Sequence, residues 1–233
     1  MYQWLSNVIK NEYKFVKALK NTEISKVLVY RNKNNNKKVI VRYIKDGVEI
    51  YEKLLTVKSE YLPQIFEVVR GKEDSIVMEE YIEGITVGDV LEGGLYTEEG
   101  VKIIIGQICD ALNILHYHGI IHRDIKPDNI MITEEGVIKI IDFNASREYK
   151  RESIEDTHIL GTTGFAPPEQ YGVSQTDIRS DIYALGVMIN VMLTGEHPSR
   201  KMCKGRYEKV IKKAVNINPN DRYQNCSELK KAL

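Results

Sequence analysis

Residues able to do chemistry concentrate in two short stretches near the middle of the chain. The first reads His122-Arg-Asp-Ile-Lys-Pro-Asp-Asn129, and the second reads Asp142-Phe-Asn144. Their carboxylate and amide oxygens suit a hard divalent cation, and a lysine ammonium suits an anionic oxygen. Taken singly, each would be an ordinary solvated loop residue. Their order and spacing, after a helical pattern and around two strand patterns, predict instead that they act together.

The elements that must position these stretches follow from hydrophobic periodicity. Apolar residues recur at helical spacing from Thr97 to Gly119, which predicts a long, mostly buried helix just before the first stretch. Residues 130–133 and 137–141 predict a hairpin that leads into Asp142. Three further helices are predicted toward the C-terminus, over residues 178–193, 206–215 and 227–233.

The N-terminal part has a different character. From residue 11 to about 80 the pattern is rich in strands, and only residues 49–57 favour a helix. An earlier helical face, formed by Trp4, Leu5, Val8 and Ile9, is expected by default to pack on the strands, and the alternative is that it docks a partner. The strands are predicted over residues 13–19, 27–30, 39–44, 65–69 and 75–80. We therefore predict an α+β fold with a small β-rich part and a larger helical part, in a single domain.

Composition argues against several classes of function. Lys plus Arg and Asp plus Glu number 33 each, so no net field favours nucleic acid or an acidic membrane surface. The three cysteines, Cys109, Cys203 and Cys226, form no CxxC pair, which argues against a disulfide framework or a zinc site. No apolar stretch approaches the ~18 residues of a membrane span. We expect a cytoplasmic protein with neither a nucleic-acid nor a membrane partner.

The two stretches resemble the motifs of the eukaryotic-like, Hanks-type bacterial serine/threonine protein kinases, which read H-R-D-x-K-P-x-N and D-F-G. The resemblance implies a two-lobed protein-kinase-like fold, with an N-lobe over about residues 11–80, a hinge over about 79–84 and a C-lobe over about 85–233. It also implies transfer of the γ-phosphoryl group of ATP to a protein hydroxyl, with Mg²⁺ or Mn²⁺ as the metal.

The same resemblance assigns roles to the residues of the two stretches. Asp124 would accept or orient the proton of the substrate hydroxyl, and Lys126 would screen the γ-phosphate of bound ATP. Asn129 would contact ATP through the metal, which Asn129 and Asp142 would ligate together. His122 would pack in the core rather than act as a base.

Supporting residues follow farther along the chain. One such stretch resembles the end of a kinase activation segment and reads Gly161-Thr-Thr-Gly-Phe-Ala-Pro-Pro-Glu-Gln-Tyr171. Pro167 stands here in place of the alanine of A-P-E. The resemblance pairs Glu169 with Arg222 as a structural staple. It also makes Asp181 a tether for the backbone of the catalytic loop.

Arg123 stands where the family docks a phosphorylated activation segment. New charge-assisted hydrogen bonds to its guanidinium would order that segment. Thr157, Thr163 and Ser153 are then the candidate phosphorylation sites. The alternative is that these hydroxyls only solvate a mobile loop.

Two glycine-containing motifs of the family are altered. The glycines of the phosphate-binding loop let backbone N–H groups approach phosphates closely, and here their places are taken by Lys20, Thr22 and Ser25. We expect the phosphate lid to sit farther off or to use side chains. Asn144 replaces the glycine of D-F-G, and asparagine tolerates a left-handed backbone better than most residues.

The nucleotide-binding lysine is also replaced, because Val39-Ile-Val-Arg42 puts Arg42 at its position. Other nearby cations that could supply the charge are Lys20, Lys26 and Lys45. Glu49 is the expected carboxylate partner of Arg42, with Glu52 as the rival, and the alternative is that both face solvent. Met78 and Glu80 would lie beside the nucleotide.

These departures leave alternatives open. An active serine/threonine kinase is favoured, because the residues nearest the reacting bond are intact. A pseudokinase that binds a nucleotide or a protein is the alternative, and a small-molecule kinase of the aminoglycoside type is a weaker third. Because no sensor domain or membrane anchor is attached to the sequence, we expect control by a separate protein.

Overall fold

The computed structural model describes residues 2–22, 25–148, 164–171 and 176–233. The chain divides into two compact units. The first comprises Met1–Ser59 and Pro63–Glu83, and the second comprises Glu60–Leu62 and Gly84–Leu233.

The first unit is built on a five-stranded antiparallel sheet with the order β1-β2-β3-β5-β4. All five predicted strands are confirmed, as is the helix that was predicted over residues 49–57. Val, Ile and Tyr make up most of β3 and recur in β2 and β5, because branched and aromatic side chains pack well on a pleated surface. The elements are β1 Tyr13–Asn21, β2 Ser25–Asn32, β3 Lys38–Ile44, α2 Val48–Leu54, β4 Ile65–Arg70 and β5 Ser75–Glu80.

A helix that precedes the sheet, α1 (Tyr2–Glu12), covers one face of it, which we call the outer face. Leu5 and Ile9 are buried there, in a core cluster with Val39, Val41, Val69, Ile76 and Met78. Trp4, which was predicted to share the packed face, is 55% exposed. The predicted packing of the first residues on the strands therefore holds for Leu5 and Ile9 but not for Trp4.

The outer face also takes Met78, which was predicted to lie beside the nucleotide. Val41 and Met78 are directly paired on β3 and β5, and both pack under α1. Successive side chains of a strand point to opposite faces, so Arg42 and Glu79 lie on the other, inner face. The Met78 side chain therefore lies on the face opposite to Arg42, and Glu79 lies on the face that carries Arg42.

The second unit is mainly helical. Its long helices α4 and α5 are almost wholly buried along one side, and α6 and α7 pack against them. The helices are α3 Val87–Gly93, α4 Glu98–Tyr117, α5 Ile178–Thr194, α6 Arg206–Ala214 and α7 Cys226–Ala232. Its short strands are β6 Ile85–Thr86, β7 Ile120–Ile121, β8 Ile130–Ile132, β9 Ile138–Ile140 and β10 Arg147–Glu148.

The four predicted helices of this unit are present, and α3 is an addition. It begins with a capping box, in which the Thr86 side chain accepts from the Asp89 N–H and the Asp89 carboxylate accepts from the Thr86 N–H. Helix α4 begins at the cap Thr97, and the chain turns after it at Gly119, whose φ is 71°. Within the described parts of the chain, no helix is both long and apolar enough to cross a membrane.

Candidate active site

The backbone of the loop between β7 and β8, residues 122–129, is held by a buried carboxylate. Asp181, in the first turn of α5, accepts from the backbone N–H groups of His122 at 3.0 Å and Arg123 at 2.8 Å. The Nε2 of His116 lies 2.8 Å from the same carboxylate. Burial alone would raise the pKa of Asp181, but the His116 hydrogen bond and nearby charges hold it below its usual range. The backbone tether predicted for Asp181 is present in the structure.

The loop is also fixed at both ends by strand pairing. Ile121 of β7 pairs with Arg147 of β10, and the Ser146 hydroxyl donates to the His122 carbonyl at 3.1 Å. At the other end, a short 3-10 helix, Pro127–Asn129, leads into β8. Because the backbone is fixed at several points, the Cα positions from which the loop side chains extend are fixed as well.

His122 serves as part of the core, as predicted. It is fully buried, and its ring meets Phe143 edge to face with 5.4 Å between the ring centroids. Its Nδ1 accepts from the backbone N–H of Asp124 at 3.3 Å, which puts the ring proton on Nε2. Burial lowers the pKa of His122, so the ring is neutral at neutral pH.

Three of the predicted site residues come together directly on this loop. The amide nitrogen of Asn129 donates to both the carbonyl oxygen and the Oδ2 of Asp124, each at 2.8 Å. The ammonium of Lys126 lies 2.9 Å from the same Oδ2. Since Asp124 takes the amide nitrogen of Asn129, the amide oxygen is turned away from it, and no donor within the described residues occupies that oxygen. An amide oxygen has the right chemistry for a hard cation.

Asp142 is brought next to this group by the hairpin. The backbone N–H of Ile141 donates to the carbonyl of Asn129 at 2.9 Å, so the residue after β9 lies beside the end of the loop. Asp142 has a left-handed backbone with φ of 66°. Asn144 does not have a positive φ, so the left-handed residue of this stretch lies two positions before it. Asp tolerates this conformation because its short polar side chain can hydrogen-bond locally.

These residues fit Mg²⁺, although the structure carries no ligand. An amide oxygen and a carboxylate are hard ligands, and Mg²⁺ typically takes one or two such groups and completes its shell with water and phosphate oxygens. In residues 2–22, 25–148, 164–171 and 176–233, no group of three or more His, Cys, Asp or Glu side chains is arranged to hold a metal. A metal bound here would therefore rely on Asn129, Asp142 and oxygens of its nucleotide.

The segment that begins at residue 164 is anchored by the predicted pair of Glu169 and Arg222. Their contact is bidentate, with Nη1–Oε1 at 2.6 Å and Nη2–Oε2 at 2.9 Å. Both residues are buried, and Arg222 also lies over the ring of Tyr183. The bidentate geometry satisfies charges that would be costly to bury alone.

Gln170 is a residue that sequence reasoning missed. It is 1% exposed, and its amide nitrogen donates to the carbonyl of Arg123 at 2.7 Å. The contact links the segment around Glu169 directly to the catalytic loop. A glutamine after a proline-rich turn is usually solvated, so only its burial in the fold reveals the role.

Arg123 itself is buried and has a left-handed backbone with φ of 66°. Burial lowers the pKa of its guanidinium to about 10, and the charge of Arg147 acts in the same direction. The candidate phosphorylation sites Ser153, Thr157 and Thr163 lie outside the described residues.

In the first unit, Arg42 has a different partner from the one expected. Its Nε lies 2.6 Å from Oε1 of Glu79, on the neighbouring strand β5. Glu49 and Glu52 on α2 both bind Arg70 of β4 instead, at 3.2 Å and 2.7 Å. The prediction that Glu49 or Glu52 pairs with Arg42 is therefore wrong.

The remaining predicted nucleotide contacts lie near the surface. Glu80 ends β5, and its carboxylate accepts from the backbone N–H of Gln64 at 3.0 Å. The three lysines weighed as replacements for Arg42 are all exposed, namely Lys20, Lys26 and Lys45. Of these four cations, Arg42 is the buried one.

Comparison with known proteins identifies the family. The protein kinase domain family model matches residues 13–233, so α1 precedes the matched part. A probable serine/threonine-protein kinase of Clostridium perfringens is 29% identical, with 97% of this chain and 38% of the relative covered. The serine/threonine-protein kinases PknB of Mycolicibacterium smegmatis and Mycobacterium tuberculosis are 33% and 32% identical, with 72% of this chain and 31% of each relative covered.

The chain spans about a third of the length of these curated relatives. The α+β architecture and the match agree on a protein kinase fold, and the match is to protein kinases rather than to kinases of small molecules. The chain therefore belongs to the protein kinase family, as a domain of the eukaryotic-like serine/threonine type found in bacteria.

Proposed function

We propose that this chain transfers the γ-phosphoryl group of MgATP to serine or threonine hydroxyls of a protein, in the cytoplasm. The observation that carries the proposal is the Asn129 amide, whose nitrogen is held by the carbonyl and carboxylate of Asp124. This contact orients both Asp124, the proposed base, and Asn129, a proposed metal ligand. Such preorganisation is what phosphoryl transfer requires of a protein, since the reaction needs positioning and charge neutralisation more than covalent help.

In this proposal, each side chain of the loop has one task. Asp124 accepts or orients the proton of the attacking hydroxyl. Lys126, now 2.9 Å from Asp124, turns to the γ-phosphate when a nucleotide is present. Asn129 and Asp142 would hold Mg²⁺, which supplies neutralising charge to the phosphate oxygens.

The tethers around the loop keep these groups in place during turnover. Asp181 holds the backbone at His122 and Arg123, and Gln170 holds the carbonyl of Arg123. We propose that the segment around Glu169 receives the protein substrate, and that a phosphoryl group on Thr157 or Thr163 would dock at Arg123. Both steps rest on the family resemblance together with the buried position of Arg123.

Phosphate gain by a generic acceptor protein, read by intact mass after incubation with MgATP, tests the proposal. The wild-type chain is compared with Asp142→Asn and with Asp128→Asn, an exposed aspartate of the same loop. We expect transfer by the wild type and by Asp128→Asn, and none by Asp142→Asn. A chain that binds MgATP yet transfers nothing would instead be a pseudokinase.

A further inference from the structure

The inner face of the sheet in the first unit carries a buried ion pair between two neighbouring strands. Glu79 is the direct cross-strand partner of Ile40, which places it diagonally beside Arg42 on the same face. The contact between Arg42 Nε and Glu79 Oε1 is 2.6 Å long, and the two side chains are only 6% and 2% exposed. The pair is therefore set by strand register alone.

Stability alone does not account for this pair. Two charges that leave water together lose about as much in hydration as they gain in attraction, so an apolar pair of similar size is often equally stable. The apolar alternative is available on this sheet, since Val27, Val29 and Val77 are buried on it. A buried ion pair in this position fixes the direction of a charge, which an apolar pair cannot do.

The acidic residues of α2 serve another contact. Glu49 and Glu52 both bind Arg70, and all three side chains are substantially exposed. These contacts fasten α2 to the edge strand β4. The helix therefore contributes no carboxylate to Arg42, and the sheet supplies one itself.

We propose that Glu79 is the positioning residue for Arg42, aiming its guanidinium at the phosphates of the nucleotide. The guanidinium is a rigid planar fork, so holding it at Nε sets the directions of its terminal Nη groups. Glu79 acts through Arg42 and touches no reacting atom. This inference rests on the proposed function, because it assumes that the chain binds MgATP.

Helix α2 takes no part in this ion pair. When the cation and its carboxylate both belong to one sheet, their geometry does not depend on where α2 lies. Removing the charge of Glu79 should impair phosphate recognition, whereas removing the charge of Glu52 should not.

The test compares the affinities of MgATP and adenosine, measured by calorimetry, because adenosine has no phosphates. In Glu79→Gln we expect MgATP to bind about tenfold more weakly, with adenosine affinity changed by less than about twofold. Glu52→Gln is the matched control and should leave both affinities unchanged. In an Arg42→Met background, Glu79→Met should have no further effect on the ratio of the two affinities, since Glu79 acts through Arg42.

If Glu79→Gln proves too unstable to purify, Glu79→Asp keeps the charge but withdraws the carboxylate by one methylene, and we expect the same selective loss of MgATP affinity. The proposal is overturned if the ratio of the affinities is unchanged or rises in the Glu79 variants, or if Glu52→Gln lowers it equally. If the wild-type chain transfers phosphate and the variants give either of these results, only this inference is wrong. If the wild-type chain does not bind MgATP, the proposed function is wrong as well.

Discussion

The catalytic loop of the second unit and the inner face of the sheet in the first unit both hold buried charges, but by different means. On the loop, the charges are oriented through the backbone, by tethers such as Asp181 that come from far along the chain. On the sheet, Arg42 is oriented by a side chain one strand away. The loop keeps the residue types of the family, and the sheet does not.

This difference shows where substitution is tolerated. On the loop, the Asn129 amide and the Lys126 ammonium both contact the one carboxylate of Asp124, so none of the three has a substitute. A cation on a strand can take its carboxylate partner from a neighbouring strand, as Arg42 takes Glu79 from β5. The sheet can therefore be rebuilt while the loop stays as it is.

The largest expected effect concerns the scaffold of the second unit. Arg222→Ala should destabilise the chain by about 3–5 kcal/mol, because it leaves the buried Glu169 carboxylate without its cation. Urea unfolding followed by circular dichroism measures this change. Arg200→Ala, at an exposed position, is the control and should change stability little. A small effect of Arg222→Ala would mean that the segment around Glu169 is not anchored as described.

A somewhat smaller effect is expected in the first unit. Leu5→Ala should cost about 2–4 kcal/mol, because it opens a cavity between α1 and the outer face of the sheet. Trp4→Ala is the control, since this larger side chain is 55% exposed. Equal losses for the two variants, in thermal or urea unfolding, would contradict the packing of α1. The comparison also tests a helix that lies outside the matched family domain.

The smallest effect is a pH dependence of the catalytic loop. Burial lowers the pKa of His122, so the folded chain keeps the ring neutral while the unfolded chain protonates it below about pH 6.5. The unfolded state then binds more protons, and stability falls as the pH falls through this range. The slope from this one group is at most about 1.4 kcal/mol per pH unit.

Unfolding curves recorded between pH 5 and pH 7.5 check this slope. His122→Asn keeps an acceptor near the Asp124 N–H but cannot titrate, and we expect a flatter profile. His118→Asn, at an exposed position, should keep the wild-type slope. Identical slopes for all three proteins would show that His122 does not stay neutral in the folded chain.

Much of this structure could be predicted from the sequence, for identifiable reasons. The strands and the long helices were readable because their apolar residues recur with a clear period over many positions. Helix α3 was not predicted, because it has only seven residues and two of them are glycines. The catalytic loop was readable because its residues lie close together in the sequence.

What could not be predicted depends on register and on distant contacts. Whether Met78 or Glu79 faces Arg42 is decided by a shift of one residue, and such a shift reverses the faces of a strand. No local pattern distinguishes the two. The contact of Gln170 with the Arg123 carbonyl spans 47 residues, so it appears only when the fold is known.

The comparison between the two units is tested most directly by measuring kcat and KM for MgATP in Asp124→Asn and Glu79→Gln side by side. Our account predicts that Asp124→Asn lowers kcat by about 10³-fold with little change in KM, because the loop does the chemistry. It predicts that Glu79→Gln mainly raises KM, because the sheet holds the phosphates. Near-normal kcat in Asp124→Asn, or a fall in kcat with unchanged KM in Glu79→Gln, would contradict it.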